Sequence, residues 1–284
     1  MKVFVTGGSG QLGHDVCREL ARRGIPYRGT SSSELDITDA EAVRRAVSEY
    51  QADAVIHCAA YTNVEQAEKC PKQCWVVNAY GTQHVVDACR EVNAKLLYIS
   101  TDYVFSGEGN CFYEPDDSTC PINVYGRSKL AGEFAVRELP DRWFIVRTSW
   151  AFGAKGSNFV KSILHLSRNS EELQVVCDQM GSPTYTVDLA HLLCTMVETD
   201  RYGIYHAVNE GICSRAEFAQ EIIRQAGYPT KVIETTSVKY DGKVRRPLNS
   251  RMSTASLEAA GFSRLPPWQS ALTRYMKEEG LISG

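Results

Sequence analysis

Fourteen tyrosines occur in this 284-residue chain, and only Tyr125 has a lysine four residues later, in Tyr125-Gly126-Arg127-Ser128-Lys129. The segment opens a helical pattern carrying Leu130, Phe134 and Val136, so Tyr125 and Lys129 are expected on one helix face. An ammonium beside a phenol favours the phenolate and is expected to draw the tyrosine pKa down from its usual ~10 toward neutrality. Such a phenol can act as a general acid on a carbonyl oxygen as hydride reaches the carbon, with Lys129 also holding ribose hydroxyls of a nicotinamide cofactor. Alone, the pair reads as a surface contact; its context argues for chemistry. The strand-like Leu96-Leu97-Tyr98-Ile99 runs into Ser100-Thr101-Asp102-Tyr103-Val104-Phe105. This puts hydroxyls and a carboxylate at the carboxyl end of a strand, where open α/β folds bind ligands. Thr101 could then donate to the same carbonyl oxygen.

A second constellation follows the first strand directly: Thr6-Gly7-Gly8-Ser9-Gly10-Gln11-Leu12-Gly13, opening a helix with Val16, Leu20 and Ala21. Glycines at 7, 10 and 13 permit a tight turn and bring backbone N–H groups close to a pyrophosphate at the helix N-terminus. The competing reading is an ordinary strand-to-helix turn. In NAD-selective dinucleotide folds an acidic residue at the end of the second strand holds the ribose 2′-hydroxyl. Here that stretch reads Tyr27-Arg28-Gly29-Thr30-Ser31-Ser32-Ser33, with the first carboxylates at Glu34 and Asp36. Ser31 and its neighbours accommodate a 2′-phosphate without charge repulsion, which favours NADPH and leaves NADH open. Asp36, in Leu35-Asp36-Ile37, is expected to neighbour the adenine. The alternative for Ser31 to Ser33 is a solvated loop.

These residues need a scaffold, and the apolar runs supply one. Val3-Phe4-Val5, Ala54-Val55-Ile56-His57, Leu96 to Ile99 and Phe144-Ile145-Val146 do not alternate with polar residues, as expected for parallel strands buried on both faces. Helical patterns lie between them, including one after Thr38, where Thr38 and Glu41 have capping-box spacing. The fold class expected is α/β: a doubly wound Rossmann-type parallel sheet with a smaller C-terminal substrate-binding lobe. Residues 1–150 form the dinucleotide-binding domain and 151–284 mainly the lobe, with a strand near 203–208 returning to the main sheet. Ser214 and Glu217 open a further capped helix that stops at Gly227.

Composition narrows the partners. With 43% hydrophobic residues the chain can bury a sizeable core. Its 31 Lys and Arg against 34 Asp and Glu leave no basic stripe for nucleic acid. No leader precedes the first strand and no apolar run approaches a bilayer span, so a cytoplasmic protein without membrane contact is expected. The ten cysteines are dispersed and the six histidines do not cluster beside them, so reduced packing thiols are expected and no metal site.

Together the glycine loop, Ser100-Thr101-Asp102 and the Tyr125/Lys129 pair resemble the extended short-chain dehydrogenase/reductase superfamily. Ala59-Ala60-Tyr61-Thr62-Asn63-Val64-Glu65, Val77-Asn78-Ala79, Arg147-Thr148-Ser149-Trp150, Asp178-Gln179-Met180-Gly181-Ser182-Pro183-Thr184-Tyr185-Thr186 and Arg246-Pro247-Leu248-Asn249-Ser250 narrow the resemblance to the dTDP-4-dehydrorhamnose reductases, over nearly the whole chain. The resemblance implies reduction of the 4-keto group of dTDP-4-dehydro-L-rhamnose to dTDP-L-rhamnose by NADPH or NADH, in a monomer or homodimer. It implies Thr101, Tyr125 and Lys129 as catalytic residues and Asp102 and Trp150 on the substrate side. It also implies Gly10, Gln11, Leu12, Asp36, Ile37, Ala59, Ala60 and Tyr61 in the cofactor loops. Arg246 is a choice from chemistry, since a guanidinium fork suits diphosphate oxygens, against an exposed loop arginine as the alternative. Trp150 has an apolar face wide enough to cover a deoxysugar, with core burial as its alternative. Relatives often carry acidic residues where Ser31 and Cys177 stand, and aspartate where Glu65 stands.

Three other functions share these motifs in part. A nucleotide-sugar dehydratase continues Thr-Asp with Glu, where this chain has Tyr103. A 4-epimerase lacks the Asp-Tyr-Val-Phe continuation. A regulatory subunit that binds NADPH without turnover does not need Thr101, Tyr125 and Lys129 together.

Overall fold

A computed structural model of the chain describes residues 1–238 and 244–282. In chain order its principal elements are β1 (Val3–Thr6), α1 (Gln11–Arg22), β2 (Tyr27–Thr30), α2 (Ala40–Tyr50), β3 (Ala54–His57), α3 (Gly81–Val92), β4 (Lys95–Thr101), α4 (Val124–Val136) and β5 (Trp143–Thr148). They continue with α5 (Phe159–Ser167), α6 (Thr186–Val197), β6 (Gly203–His206), α7 (Arg215–Ala226) and α8 (Trp268–Glu278). The six strands form one parallel sheet in the order β2-β1-β3-β4-β5-β6. Every residue of β1 and β3 is buried, which is why their sequences show no polar alternation.

Helices cover both faces. On one, Val16 and Leu20 of α1 and Leu189, Leu193 and Val197 of α6 pack on Val3, Val5, Ile56 and Leu97. On the other, Val43 and Val47 of α2, Val85 and Cys89 of α3 and Val136 of α4 pack on Phe4, Val55, Leu96 and Ile145. From β1 the chain moves outward to β2 and then returns to place β3 on the other flank of β1. This reversal opens a crevice at the carboxyl ends of β1 and β3, the usual ligand position in such sheets.

After β5 the chain builds a separate aromatic cluster from Phe152, Tyr185, Phe218, Trp268 and Tyr275, packed with α5, α7 and α8. Within this part β6 crosses back to pair with β5 in the main sheet. α7 carries the capping box of Ser214 and Glu217 and ends at Gly227 in a left-handed conformation. α2 departs from expectation. Its cap is Asp39, which accepts from the Ala42 N–H at 3.0 Å, because Asp36 has already captured the Thr38 N–H and hydroxyl. Among the described residues no helix is long and apolar enough to cross a membrane.

Candidate active site

At the end of β1, Gly7 adopts φ +68° and its carbonyl accepts the Gly10 N–H at 2.9 Å, closing the turn. A Cβ on Gly7 would stand 2.7 Å from the Ala59 nitrogen, and one on Gly13 would collide with the Gly7 carbonyl. Gly10 caps α1 without a side chain, and the first turn, containing Gln11 and Leu12, has no acidic residue. The result is a bare cradle of backbone at a helix N-terminus, which fits the pyrophosphate of a dinucleotide. Gln11 also ties the cradle to the C-terminal part, because Asn158 donates to its Oε1 at 3.0 Å.

At the end of β2 the sequence suggested hydroxyls without a carboxylate. The fold changes this: residues 31–34 close a turn in which both the Ser31 N–H and the Ser31 hydroxyl donate to Glu34 Oε2 at 2.7 Å. Asp36 is exposed and spends one oxygen on Thr38, while Ile37 is buried beneath α3 with its carbonyl accepting from His84 Nδ1 at 3.0 Å.

After β3, the loop of Ala59, Ala60 and Tyr61 is fixed by groups that sequence reading left without a role. Thr6 Oγ1 accepts the Ala59 N–H and donates to the buried His57 Nδ1, 2.6 Å away. The His57 Nε2–H faces Thr82, which donates on to the Asn78 carbonyl. Burial drives the His57 pKa down to about 3, so the ring stays neutral, and because the Thr82 hydroxyl is spent on the Asn78 carbonyl the ring proton belongs on Nε2. Asn78 lies in a one-turn π-helix, Val76–Tyr80, and clamps Tyr61 by accepting its N–H at 2.7 Å and donating to its carbonyl at 3.0 Å.

Tyr125 and Lys129 do share a face of α4, one turn apart. A Cβ on Gly126 would collide with the Tyr103 carbonyl and one on Gly132 with the Tyr98 hydroxyl, so the two glycines let α4 lie directly on β4 and on the turn of residues 102–104 that follows it. The expected lowering of the Tyr125 pKa is not found. Burial pushes it well up, against the neighbouring Thr101 hydroxyl, which favours the phenolate. The Lys129 ammonium lies 4.0 Å from the centroid of the Tyr98 ring, and burial lowers its pKa to about 7 despite the pull of Glu133. Desolvation therefore outweighs the favourable neighbour of each group, Thr101 for the phenol and Glu133 for the ammonium, an effect that i, i+4 spacing cannot reveal. Glu133 itself is locked by Arg147 at 2.9 and 2.7 Å and by the Ser100 hydroxyl at 2.6 Å.

Thr101 sits at the last position of β4 and donates to Asp102 Oδ1 at 3.0 Å, while its oxygen accepts the Tyr103 N–H at 3.2 Å. The other Asp102 oxygen accepts from Ser250. Asp102 is thus buried behind Thr101, and burial raises its pKa.

A cleft of about 1140 Å³ is lined by Glu65, Trp150, Phe159, Arg215, Arg246 and Leu248 among others. Arg246 donates to the Tyr103 hydroxyl and to Glu65, both at 3.2 Å. Trp150 has φ +49°, a conformation rare outside glycine, which throws its indole into the cleft. One face of that indole is covered by the Arg215 guanidinium and Gly181 abuts its six-membered ring, so it does not offer two free faces. Arg215 was missed in the sequence. The signal was there: a cation at the first position of a helix opposes the helix dipole, so its presence at the start of α7 calls for a reason outside the helix.

The family model for the RmlD substrate binding domain matches residues 1–280. A dTDP-4-dehydrorhamnose reductase of Streptomyces griseus is 43% identical over 277 residues, covering 95% of this chain and 91% of that protein. The spore coat polysaccharide biosynthesis protein SpsK of Bacillus subtilis is 40% identical over 277 residues, with 98% and 97% coverage. The crystal structure of a dTDP-4-dehydrorhamnose reductase from Bacillus anthracis in complex with NADP superposes with a TM-score of 0.95 at 41% identity, covering 98% of this chain and 99% of that one.

Proposed function

Since the chain belongs to the RmlD substrate binding domain family, we propose that it reduces the 4-keto group of dTDP-4-dehydro-L-rhamnose to the alcohol of dTDP-L-rhamnose, using NADPH. The observation that carries this reading is the convergence of the glycine cradle and the Thr101, Tyr125 and Lys129 group at the carboxyl edge of one sheet. The residues fit a dinucleotide: Gly7, Gly10, Gln11, Leu12 and Gly13 would hold the pyrophosphate, Ser31 would face the adenosine ribose, Asp36 and Ile37 would border the adenine, and Ala59, Ala60 and Tyr61 would complete the cofactor loops. Bound there, the nicotinamide supplies a hydride to C4 of the sugar.

The chain's own part is proton transfer and positioning. Tyr125 gives its phenolic proton to the oxygen that develops on C4, and Lys129, one turn away, stabilises the phenolate left behind and holds ribose hydroxyls. Thr101 turns its hydroxyl proton from Asp102 to the same oxygen, while its own oxygen stays anchored by the Tyr103 N–H. Trp150 borders the deoxysugar, while Arg215 and Arg246 meet the diphosphate. The ten unpaired cysteines suit a reducing, cytoplasmic compartment.

The experiment is direct. Protein, NADPH and dTDP-4-dehydro-L-rhamnose are mixed, loss of NADPH absorbance is followed, and the sugar is identified by NMR. Stoichiometric formation of dTDP-L-rhamnose is expected. NADPH that binds without being oxidised would replace this reading with that of a regulatory binding protein.

A further inference from the structure

We propose that Glu34 sets the balance between NADPH and NADH, by occupying the two donors of Ser31 that a 2′-phosphate would use while offering an acceptor to a free 2′-hydroxyl. The inference rests on the assignment of the glycine cradle to a dinucleotide. Ser31 follows Thr30, which pairs with Thr6 of β1 and whose carbonyl accepts the Gly8 N–H at 2.8 Å, so it stands beside the cradle at the edge where the adenosine ribose lies in such folds. Leu35 N–H returns to the Ser31 carbonyl at 2.9 Å and closes the turn that delivers Glu34 to this spot. Ser33 Oγ lies 2.9 Å from Ser31 Oγ and completes a small polar cluster.

Both Ser31 donors end on one oxygen of Glu34, Oε2. The other, Oε1, has no hydrogen-bond partner among the described residues and is exposed with the rest of the side chain. The Ser31 hydroxyl, then its N–H, then Arg28 hold the carboxyl below its usual range, so it is ionised at neutral pH. A 2′-phosphate brings about 1.5 to 2 negative charges and competes for the same N–H and O–H. It must push Glu34 aside, which an exposed side chain permits at a cost in affinity. A 2′-hydroxyl leaves the Ser31 contacts intact and donates to Oε1. Glu34 thereby performs, from three residues downstream, the task that an acidic residue at position 31 performs elsewhere, and the apparent absence of a carboxylate from this strand end is corrected by the turn.

Binding decides the matter without turnover. Isothermal titration of NADPH, NADH, 2′,5′-ADP and 5′-AMP is performed on the wild type, Glu34→Gln and Glu34→Ala. Removing the charge is expected to tighten NADPH and 2′,5′-ADP about tenfold, the scale of one charge-assisted contact, and to leave NADH and 5′-AMP unchanged or weaker by a few-fold. Ratios of dissociation constants that stay put in both variants, with both dinucleotides bound, overturn the role of Glu34 alone. A wild type that binds neither dinucleotide removes the cradle assignment and this inference with it. Because Glu34 is exposed, melting temperatures without ligand should match across the three proteins and exclude misfolding as the cause of a change.

Discussion

The guanidinium carbon of Arg215 lies 3.7 Å from the centroid of the Trp150 ring and 5.0 Å from that of Phe159. Burial and the nearby Arg246 push the Arg215 pKa down to about 10, with Tyr103 and Asp102 pulling the other way, so it remains a cation in the cleft. The stack orients the fork over an indole whose backbone sits at φ +49°, a conformation rare outside glycine. Trp150 follows β5 and Arg215 opens α7, so the pair ties the main sheet to the C-terminal aromatic cluster.

Arg215→Lys keeps the charge but loses both the planar stack and the bidentate fork. Steady-state kinetics should show KM for the nucleotide sugar raised about tenfold, on the scale of one charged hydrogen bond, with kcat little changed. Trp150→Phe should also raise KM without unfolding the protein. An unaltered KM in the first variant removes Arg215 from the diphosphate; a collapsed melting temperature with normal kinetics in the second makes Trp150 a packing residue.

Tyr125→Phe should lower turnover by roughly 10² to 10⁴, the range for a lost general acid, with the dissociation constant for NADPH unchanged. Turnover near the wild-type level would require another proton donor.

The Lys129 pKa of about 7 makes a prediction with a definite sign. Reduction consumes a proton, so kcat/KM for the keto sugar should be highest below pH 7 and fall as pH rises through that value. Stability moves the opposite way. The unfolded lysine holds its proton up to about pH 10.4 and the folded one only to about 7, so between these values the unfolded state binds more protons and stability rises with pH. Lys129→Met removes that dependence, and its gain in melting temperature over wild type should be largest below pH 7 and shrink toward pH 10. A gain that is flat with pH would show that the ammonium is not desolvated.

Gly126→Ala places a methyl group against the Tyr103 carbonyl, a backbone atom that cannot swing away. It should cost about 1 to 3 kcal/mol of stability, as overpacking does, and lower kcat by shifting Tyr125. Chemical denaturation and kinetics on one preparation test both effects; full stability would mean that the start of α4 can move away from the Tyr103 carbonyl without cost.

What the sequence determined was local. Unalternating apolar runs specify buried parallel strands, glycines at 7, 10 and 13 specify a side-chain-free turn, and the spacing of Tyr125 and Lys129 fixes a shared helix face, because each depends only on backbone periodicity or the lack of a Cβ. Tertiary structure decided the rest. Ser250 reaches Asp102 and Arg215 reaches Trp150 only after distant segments pack together. The charge state of Tyr125 and Lys129 follows from burial, which is set by everything packed around them. Even Glu34, three residues from Ser31, arrives on its donors through the closure of one turn, and that closure gives a carboxylate to a strand end that reads as lacking one.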